Sequence, residues 1–403
     1  MGRWTIYHAD SLMGKGLPLW IESAHLSIPP GDGMERHGDE IRTFQTRDQF
    51  CVVLASGPLH PEKSNAAAMA ETAIHLLEQR VPPDDALQTV ITTFADPEGR
   101  RLPLSILRIL TESAGECHAC LADCDAPPLF LTRQGELVLL PVFEDVHQGH
   151  LIRTCRFSLQ DGDYLAMVSE GYVRGQSKGQ RWVWKEIATY TRRLTSIGSS
   201  AEQLLEALFS TYHRLAEAKE TDNQLSRRPV SVVAMHVRPM RSVTVWTGPP
   251  VDPAQDEAAL AALMAEPDTR VICGDTTAQI AARLLGAELD LEPRPEDGWA
   301  EVPPTMTMEG VGLVTEGLVT MDAARQRILA ARRASELPRA EDGATRLARS
   351  LLTADRIHFI VGLAINPAQV ADKAGTIPLR QLVVEGLIEA LKAWDRIVTA
   401  DYI

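Results

Sequence analysis

The segment that most constrains the fold of this chain is residues 49–79. Residues 50–54 form a short, almost unbroken apolar run, which is typical of a strand buried on both faces. The run ends at residues 55–58, Ala-Ser-Gly-Pro, where adjacent Gly and Pro indicate a turn. Residues 65–79 then predict a helix, with Asn65 available to cap its first turn. A buried strand, a sharp turn and a capped helix place backbone amides and short side chains at the edge of a cleft.

Length and charge exclude several classes of protein. A chain of 403 residues predicts two domains. A formal net charge of −14 argues against binding to nucleic acid or to an anionic membrane surface, because both partners would be repelled. No apolar run approaches the roughly 20 residues that span a bilayer, and the N-terminus lacks a signal-peptide core. The six cysteines suggest no disulfide framework, so we expect a cytoplasmic protein.

The pattern of elements changes near Pro239 and Met240. Before this point, short apolar runs separated by turn residues predict hairpins, for example over residues 105–122. After it, strand and helix patterns alternate, which indicates an α/β domain with a mainly parallel sheet. We therefore predict one domain over residues 1–240 and a smaller α/β domain over residues 241–403.

Three motifs of the first domain resemble a known family. They are Ala55-Ser-Gly57 after the central strand, Asp125-Ala-Pro-Pro-Leu-Phe-Leu-Thr-Arg-Gln-Gly135, and Leu159-Gln-Asp-Gly-Asp-Tyr-Leu-Ala-Met-Val-Ser-Glu-Gly171. Their order and spacing resemble the SpoIIE-like branch of the PPM (PP2C) metal-dependent serine/threonine phosphatases. The resemblance implies an α+β fold in which a PP2C-like β-sandwich is flanked by helices and followed by the smaller α/β domain.

The second domain resembles an extension found on a subset of these proteins in anaerobic bacteria. Five short motifs carry this resemblance, at residues 247–250, 273–278, 314–317, 342–348 and 364–367. Together the two resemblances cover essentially the whole chain.

The family resemblance implies a phosphatase site with two Mn²⁺ or Mg²⁺ ions. Such ions need oxygen ligands, and the pair activates a water for attack on the phosphoryl group. The three aspartates that the family uses correspond here to Ser56, Glu170 and Arg228, whereas Gly57 and an earlier Asp39 match the family pattern.

These departures predict a change of function. Ser56 removes a bridging carboxylate, and Arg228 would add repulsion next to a dication. Our leading hypothesis is a catalytically impaired, phosphatase-like regulatory protein with a phosphoprotein or regulatory protein as its partner. The alternative is an active Mn²⁺- or Mg²⁺-dependent phosphatase with a reduced metal site of Asp39, the Gly57 carbonyl and Glu170.

The cysteines of residues 117–124 also raise the question of a metal site. In a strand, Cys117 and Cys120 point to opposite faces, because side chains alternate. No second cysteine pair completes a tetrahedral set. The sequence therefore predicts no metal site here.

A second candidate site follows Cys273, where a strand passes into a helix. Gly274 permits close approach of a ligand to the backbone, while Thr276 and Thr277 add hydroxyl donors. Free amides and the helix dipole favour an anion there, although the charge of Asp275 opposes a phosphate unless it only caps the helix.

Ligands gather at the carboxyl ends of strands in an open α/β sheet. Asn366 follows another predicted strand and could therefore line the same pocket. We predict a phosphorylated small molecule or nucleotide at this site; ordinary capped turns, or an enzyme acting on such a molecule, are the alternatives.

Overall fold

A computed structural model describes most of the chain. The described residues are 18–29, 38–46, 48–57, 65–94, 101, 103–111, 117–174, 189, 191–194, 198–217, 229–265, 269–292, 302–331, 336–364, 378–394 and 396–403. The chain divides into two compact units, one formed by Gly14–Pro239 and the other including Met240–Ile403.

The N-terminal unit is built on two antiparallel sheets. The five-stranded sheet has the order β1-β11-β10-β6-β7 and consists of β1 (Leu19–Ile28), β6 (Phe130–Arg133), β7 (Glu136–Val138), β10 (Tyr164–Val168) and β11 (Val230–Pro239). The six-stranded sheet has the order β2-β3-β4-β5-β9-β8 and consists of β2 (Glu40–Gln45), β3 (Gln49–Ala55), β4 (Leu104–Thr111), β5 (Cys117–Cys124), β8 (Phe143–His147) and β9 (His150–Leu159).

Helices cover the outer faces of both sheets. The described helices of this unit are α1 (Ala66–Glu78), α2 (Pro83–Phe94), α3 (Glu170–Arg174) and α4 (Ala201–Glu217). One apolar core lies between the sheets and includes Val52, Leu107 and Val233. A second core joins the six-stranded sheet to α1 and α2, and a third joins the five-stranded sheet to α3 and α4. The result is the helix–sheet–sheet–helix sandwich that the sequence predicts.

Local details differ from the sequence predictions. Asn65 makes no side-chain capping bond to α1. The helical spacing of Met69, Ala73, Leu76 and Leu77 predicts a buried stripe, and all of these are buried except Leu76, which is partly buried. The edge strand β8 was not predicted, because its apolar residues are largely exposed and show no alternation. The sequence also predicts a strand near residues 4–6 and a helix over residues 183–197. The strand and most of that helix lie outside the described residues.

The C-terminal unit contains one seven-stranded, mainly parallel sheet, as predicted. Its order is β14-β15-β16-β13-β12-β17-β18, and its strands are β12 (Ser242–Thr247), β13 (Thr269–Cys273), β14 (Leu289–Leu291), β15 (Met306–Met308), β16 (Val311–Thr315), β17 (Arg356–Val361) and β18 (Ile397–Tyr402). The pairings among β16, β13, β12, β17 and β18 are parallel, whereas β14 and β15 are antiparallel additions at one edge.

Helices also cover both faces of this sheet. They are α5 (Asp256–Ala265), α6 (Asp275–Leu285), α7 (Leu318–Ala330), α8 (Gly343–Thr353) and α9 (Leu379–Lys392). The first two pack in the apolar core on one face, and the last three pack in the core on the other. None of the helices in the described ranges combines the length and apolar character needed to cross a membrane.

The core between the two antiparallel sheets predicts unequal effects of two leucine truncations on one strand. Leu107 is fully buried in this core, whereas Leu110 on the same strand is 36% exposed. We expect Leu107→Ala to lower the free energy of unfolding of the N-terminal unit by about 2–5 kcal/mol, because it removes apolar contacts and leaves a cavity. Leu110→Ala is the matched control and should cost less than about 1 kcal/mol. Urea unfolding followed by circular dichroism measures both, and equal costs would contradict the assignment of Leu107 to this core.

Candidate functional sites

Several strand ends meet at one end of the N-terminal sandwich. The register pairs Glu40 with Ala55, Ala55 with Leu104, and Leu104 with Cys124. The residues just beyond these positions therefore lie at the same edge of the six-stranded sheet. They are Asp39 before β2, Ser56 and Gly57 after β3, Arg101 before β4, and Asp125 after β5.

Asp39 and Gly57, two residues of the predicted metal site, are in direct contact. Asp39 is buried, and its Oδ1 accepts a hydrogen bond from the Gly57 amide at 3.1 Å. The neighbouring Ser56 is half-buried, and its amide donates to the Pro103 carbonyl at 2.8 Å. These bonds hold the turn after β3 against the starts of β2 and β4.

Glu170 reaches the same end of the sandwich from the five-stranded sheet. It follows β10 and begins α3, and its preceding residue Ser169 accepts a hydrogen bond from the Ser231 amide at 2.9 Å. The Glu170 carboxylate pairs with Arg101, with 2.5 Å between Oε1 and Nη1. The same guanidinium donates through Nη2 to the Asp125 carbonyl at 2.7 Å. Arg101 therefore links Glu170 of one sheet to the edge of the other.

The described oxygen donors do not fit a pair of Mn²⁺ or Mg²⁺ ions. Such ions need several carboxylate oxygens, but Ser56 offers a neutral hydroxyl in place of a carboxylate. One oxygen of Asp39 already accepts from an amide, and Glu170 already pairs with a guanidinium. Arg228, the third altered position, lies outside the described residues.

Three further side chains that could hold a metal ion lie at this end of the sandwich, and the sequence did not predict their grouping. Cys124, Asp125 and His150 each offer one ligand atom, and these atoms lie within 4.8 Å of one another. Burial and the adjacent carboxylates raise the pKa of the Cys124 thiol to about 12. The pairing of β5 with β9 brings His150 close to Cys124, a contact that the spacing of the cysteines in the sequence does not indicate.

In the C-terminal unit, glycines follow the carboxyl ends of four adjacent parallel strands. They are Gly248 after β12, Gly274 after β13, Gly317 after β16 and Gly362 after β17. Gly274 has φ +126°, a conformation that favours glycine, and precedes α6 without a side-chain cap. Gly274 and the following residues therefore lie where the parallel strands end, as the sequence predicts.

The predicted binding residues around Gly274 differ in exposure. Thr277 is buried, and its Oγ1 has no hydrogen-bond partner among the described residues. An added Cβ at Gly274 would lie 3.2 Å from this oxygen, so the hydroxyl faces the glycine turn. Asp275 and Thr276 are exposed, and Asn366 lies outside the described residues.

A half-buried arginine completes this edge of the sheet, and no motif in the sequence indicated it. Arg380, near the start of α9, donates through Nη1 to the Gly362 carbonyl at 2.9 Å. An added Cβ at Gly248 would lie 2.2 Å from the same nitrogen, so the guanidinium lies against the turn after β12. Burial lowers the pKa of Arg380, and no carboxylate in the described ranges pairs with it.

No protein-family model matches the chain, and no curated protein matches it. The solved structures that match the chain include the following three. The phosphatase domain of the cell fate determinant SpoIIE from Bacillus subtilis has 14% identity and a TM-score of 0.41, over 55% of this chain and 94% of that chain. The SiaA PP2C domain of Pseudomonas aeruginosa has 12% identity and a TM-score of 0.39, over 53% and 85%. RsbX in complex with magnesium has 12% identity and a TM-score of 0.38, over 54% and 95%.

The turns after β12 and β17 approach each other closely, so a methyl group added at Gly362 should lower the stability of the C-terminal unit. An added Cβ at Gly362 would lie 2.1 Å from the Pro249 carbonyl oxygen, whereas one at Gly312 would make ordinary contacts at 3.4 Å. We expect Gly362→Ala to destabilise the C-terminal unit by about 1–3 kcal/mol, because backbone must move. Gly312→Ala is the matched control and should change the free energy of unfolding by less than about 1 kcal/mol. Chemical denaturation measures both, and equal stabilities would contradict this packing.

Proposed function

We propose that residues 1–240 form a phosphatase-like domain of the PP2C type that no longer hydrolyses phosphoesters. It acts in the cytoplasm as a regulatory or signalling protein that recognises a phosphoprotein or another regulatory protein. Residues 241–403 form its ligand-binding domain. The observation that carries the proposal is the contact of the Arg101 guanidinium with Glu170, one of the three altered metal positions.

The Arg101–Glu170 pair opposes binding of a divalent ion. A charge-assisted bond between guanidinium and carboxylate is among the stronger hydrogen bonds in proteins. A metal ion would have to displace Arg101 from a Glu170 carboxylate whose side chain is only 15% exposed. Ser56 supplies no negative charge to compensate for that displacement.

The same guanidinium favours recognition of phosphate over its hydrolysis. The side chain of Arg101 is half exposed while Nη1 and Nη2 are held by Glu170 and the Asp125 carbonyl. Arginine is the side chain best suited to planar, bidentate contact with phosphate oxygens. Arg101 is therefore the residue that we assign to contact with a phosphorylated side chain of the partner.

The first test is hydrolysis by the full chain. We expect no Mn²⁺-dependent turnover of an aryl phosphate or a phosphoserine peptide, because the carboxylates needed to hold the ion pair are replaced or engaged. Metal-dependent turnover that is lost in Glu170→Gln would overturn the proposal and favour the active phosphatase with a reduced metal site.

A carboxylate introduced at position 56 tests whether the rest of the metal site is intact. We expect Ser56→Asp combined with Arg101→Met to bind Mn²⁺ about 30-fold more tightly than Ser56→Asn combined with Arg101→Met. A carboxylate about 4 Å from a dication gains about 2 kcal/mol even in water. Isothermal titration calorimetry compares the two double variants. Equal affinities would show that Ser56 does not face the ion.

A second function is proposed for residues 241–403, namely binding of a phosphorylated small molecule. Arg380 supports it, because a half-buried guanidinium without a carboxylate partner in the described ranges lies at the ends of β12 and β17. The start of α6 after Gly274, which has no side-chain cap, and the Thr277 hydroxyl, which has no hydrogen-bond partner within the described part of the chain, lie along the same edge of the sheet. Helix amides and arginine are both typical donors to phosphate.

Variants around Arg380 test this binding with pyrophosphate as the probe. We expect Arg380→Met to weaken pyrophosphate binding by about tenfold or more, since one charge-assisted contact contributes about 1.5–3 kcal/mol. Gly248→Ala should also weaken it, because its methyl group displaces the guanidinium.

The matched control is Gly286→Ala, another glycine with positive φ but with nothing within 4 Å of an added Cβ. It should leave the affinity unchanged in calorimetric titrations. Wild-type affinity in Arg380→Met would contradict the assignment.

A further inference from the structure

We propose that Cys124, Asp125 and His150 bind one transition-metal ion of the zinc class, independently of the proposed phosphatase-like function. Their ligand atoms, a sulfur, a carboxylate oxygen and an imidazole nitrogen, lie within 4.8 Å of one another. Cys124 and His150 are at least 95% buried, so the group is enclosed and is not a chance meeting of surface side chains.

The pairing of β5 with β9 positions two of these ligands, Cys124 and His150. Cys124 is the last residue of β5 and lies opposite Ile152, while His150 is the first residue of β9. The β8–β9 turn has positive φ at Gln148 (+50°) and Gly149 (+82°), which returns the chain tightly enough to place His150 beside the end of β5. The position of His150 is thus set by backbone pairing.

The backbone of the third ligand is held on both sides. Asp125 has φ +52°, a left-handed conformation that is uncommon for residues other than glycine, and its carbonyl accepts from Arg101 at 2.7 Å. Arg153 donates to the next carbonyl, that of Ala126, at 2.5 Å. Two arginines therefore hold the turn that presents the Asp125 carboxylate, and such support is what a preorganised ligand needs.

The donor set selects the class of metal. Thiolate and imidazole ligands suit Zn²⁺ and similar ions, whereas Mg²⁺ and Mn²⁺ favour oxygen ligands. A thiolate and a carboxylate together neutralise a dication. Without metal, the Asp125 carboxylate lies 3.1 Å from His150 Nδ1 and accepts a hydrogen bond from the Cys124 thiol. Binding of the ion replaces these bonds and releases the thiol proton to solvent.

Three protein ligands leave a fourth tetrahedral position for water or another small ligand. This arrangement is typical of zinc sites that exchange a ligand, whereas structural sites have four protein ligands.

Metal titration of the full chain tests the site. We expect chelator-treated protein to bind one Zn²⁺ per chain, and Co²⁺ in its place to give thiolate-to-metal charge-transfer absorption. His150→Gln should weaken Zn²⁺ binding by at least about 100-fold, since even outer ligand partners contribute 10–100-fold. Cys124→Ser should abolish the charge-transfer band.

Two variants nearby serve as matched controls. Cys120→Ser changes another cysteine of β5, and His147→Gln changes the other histidine of the β8–β9 hairpin. Both should keep the affinity and the spectrum of the wild type. If Cys124→Ser fails to fold, His150→Gln, checked by circular dichroism, decides the question. Zn²⁺ binding that survives in His150→Gln, binding at less than one ion per chain, or Co²⁺ binding without the band would overturn the proposal.

Discussion

Burial of every residue of β3 is the constraint on which the N-terminal unit depends. Because side chains alternate along a strand, Phe50 and Val52 face the core between the sheets, whereas Cys51 and Val53 face α1 and α2. Such a strand is stable only when both faces are covered and its backbone groups pair with neighbours on both sides. The second sheet, the helices and the pairings with β2 and β4 satisfy these demands together.

The same constraint positions the turn after β3 and so defines the end of the sandwich. Ser56 and Gly57 leave a rigid strand and meet Asp39, while Arg101 joins the six-stranded sheet to Glu170. The Arg101 guanidinium thus pairs with Glu170, one of the positions that the family resemblance assigns to metal binding. Softer donors lie nearby, at the end of β5 and the start of β9. The proposed loss of hydrolysis rests on the Arg101–Glu170 pair, whereas the proposed zinc site rests on Cys124, Asp125 and His150.

The candidate site of the C-terminal unit is formed in a different way, by turns that follow parallel strands. In a parallel sheet all carboxyl ends meet at one edge, so turns after four strands come together there without any need for sequence proximity. Glycines allow these turns to approach closely, as Gly362 does with Pro249. The space beside Gly248 admits the guanidinium of Arg380, which brings a positive charge to an edge that also carries backbone amides, hydroxyl groups and the carboxylate of Asp275.

Local patterns in the sequence determined much of the fold. The apolar run of β3, the periodicity of α1 and the strand–helix alternation after Met240 predict their elements, because burial of a regular element leaves a regular pattern. The resemblance of motifs also predicts one site for Asp39 and Gly57, which the structure shows in hydrogen-bond contact. The sequence did not predict β8, whose Phe143 and Val146 are exposed, or β18, which follows the last helix. Edge strands need bury only part of their residues, so their patterns are weak.

Only the tertiary structure decided which distant side chains meet. Arg101 and Glu170 are 69 residues apart, and their contact depends on the packing of one sheet against the other. Cys124 and His150 meet through the register of β5 and β9, and Arg380 meets Gly248 where α9 begins beside the ends of β12 and β17. The spacing of residues in the sequence does not predict such contacts, because strand register and the packing of layers depend on the whole core. The sequence therefore identifies several residues of these sites, but the tertiary structure is needed to show which residues they contact.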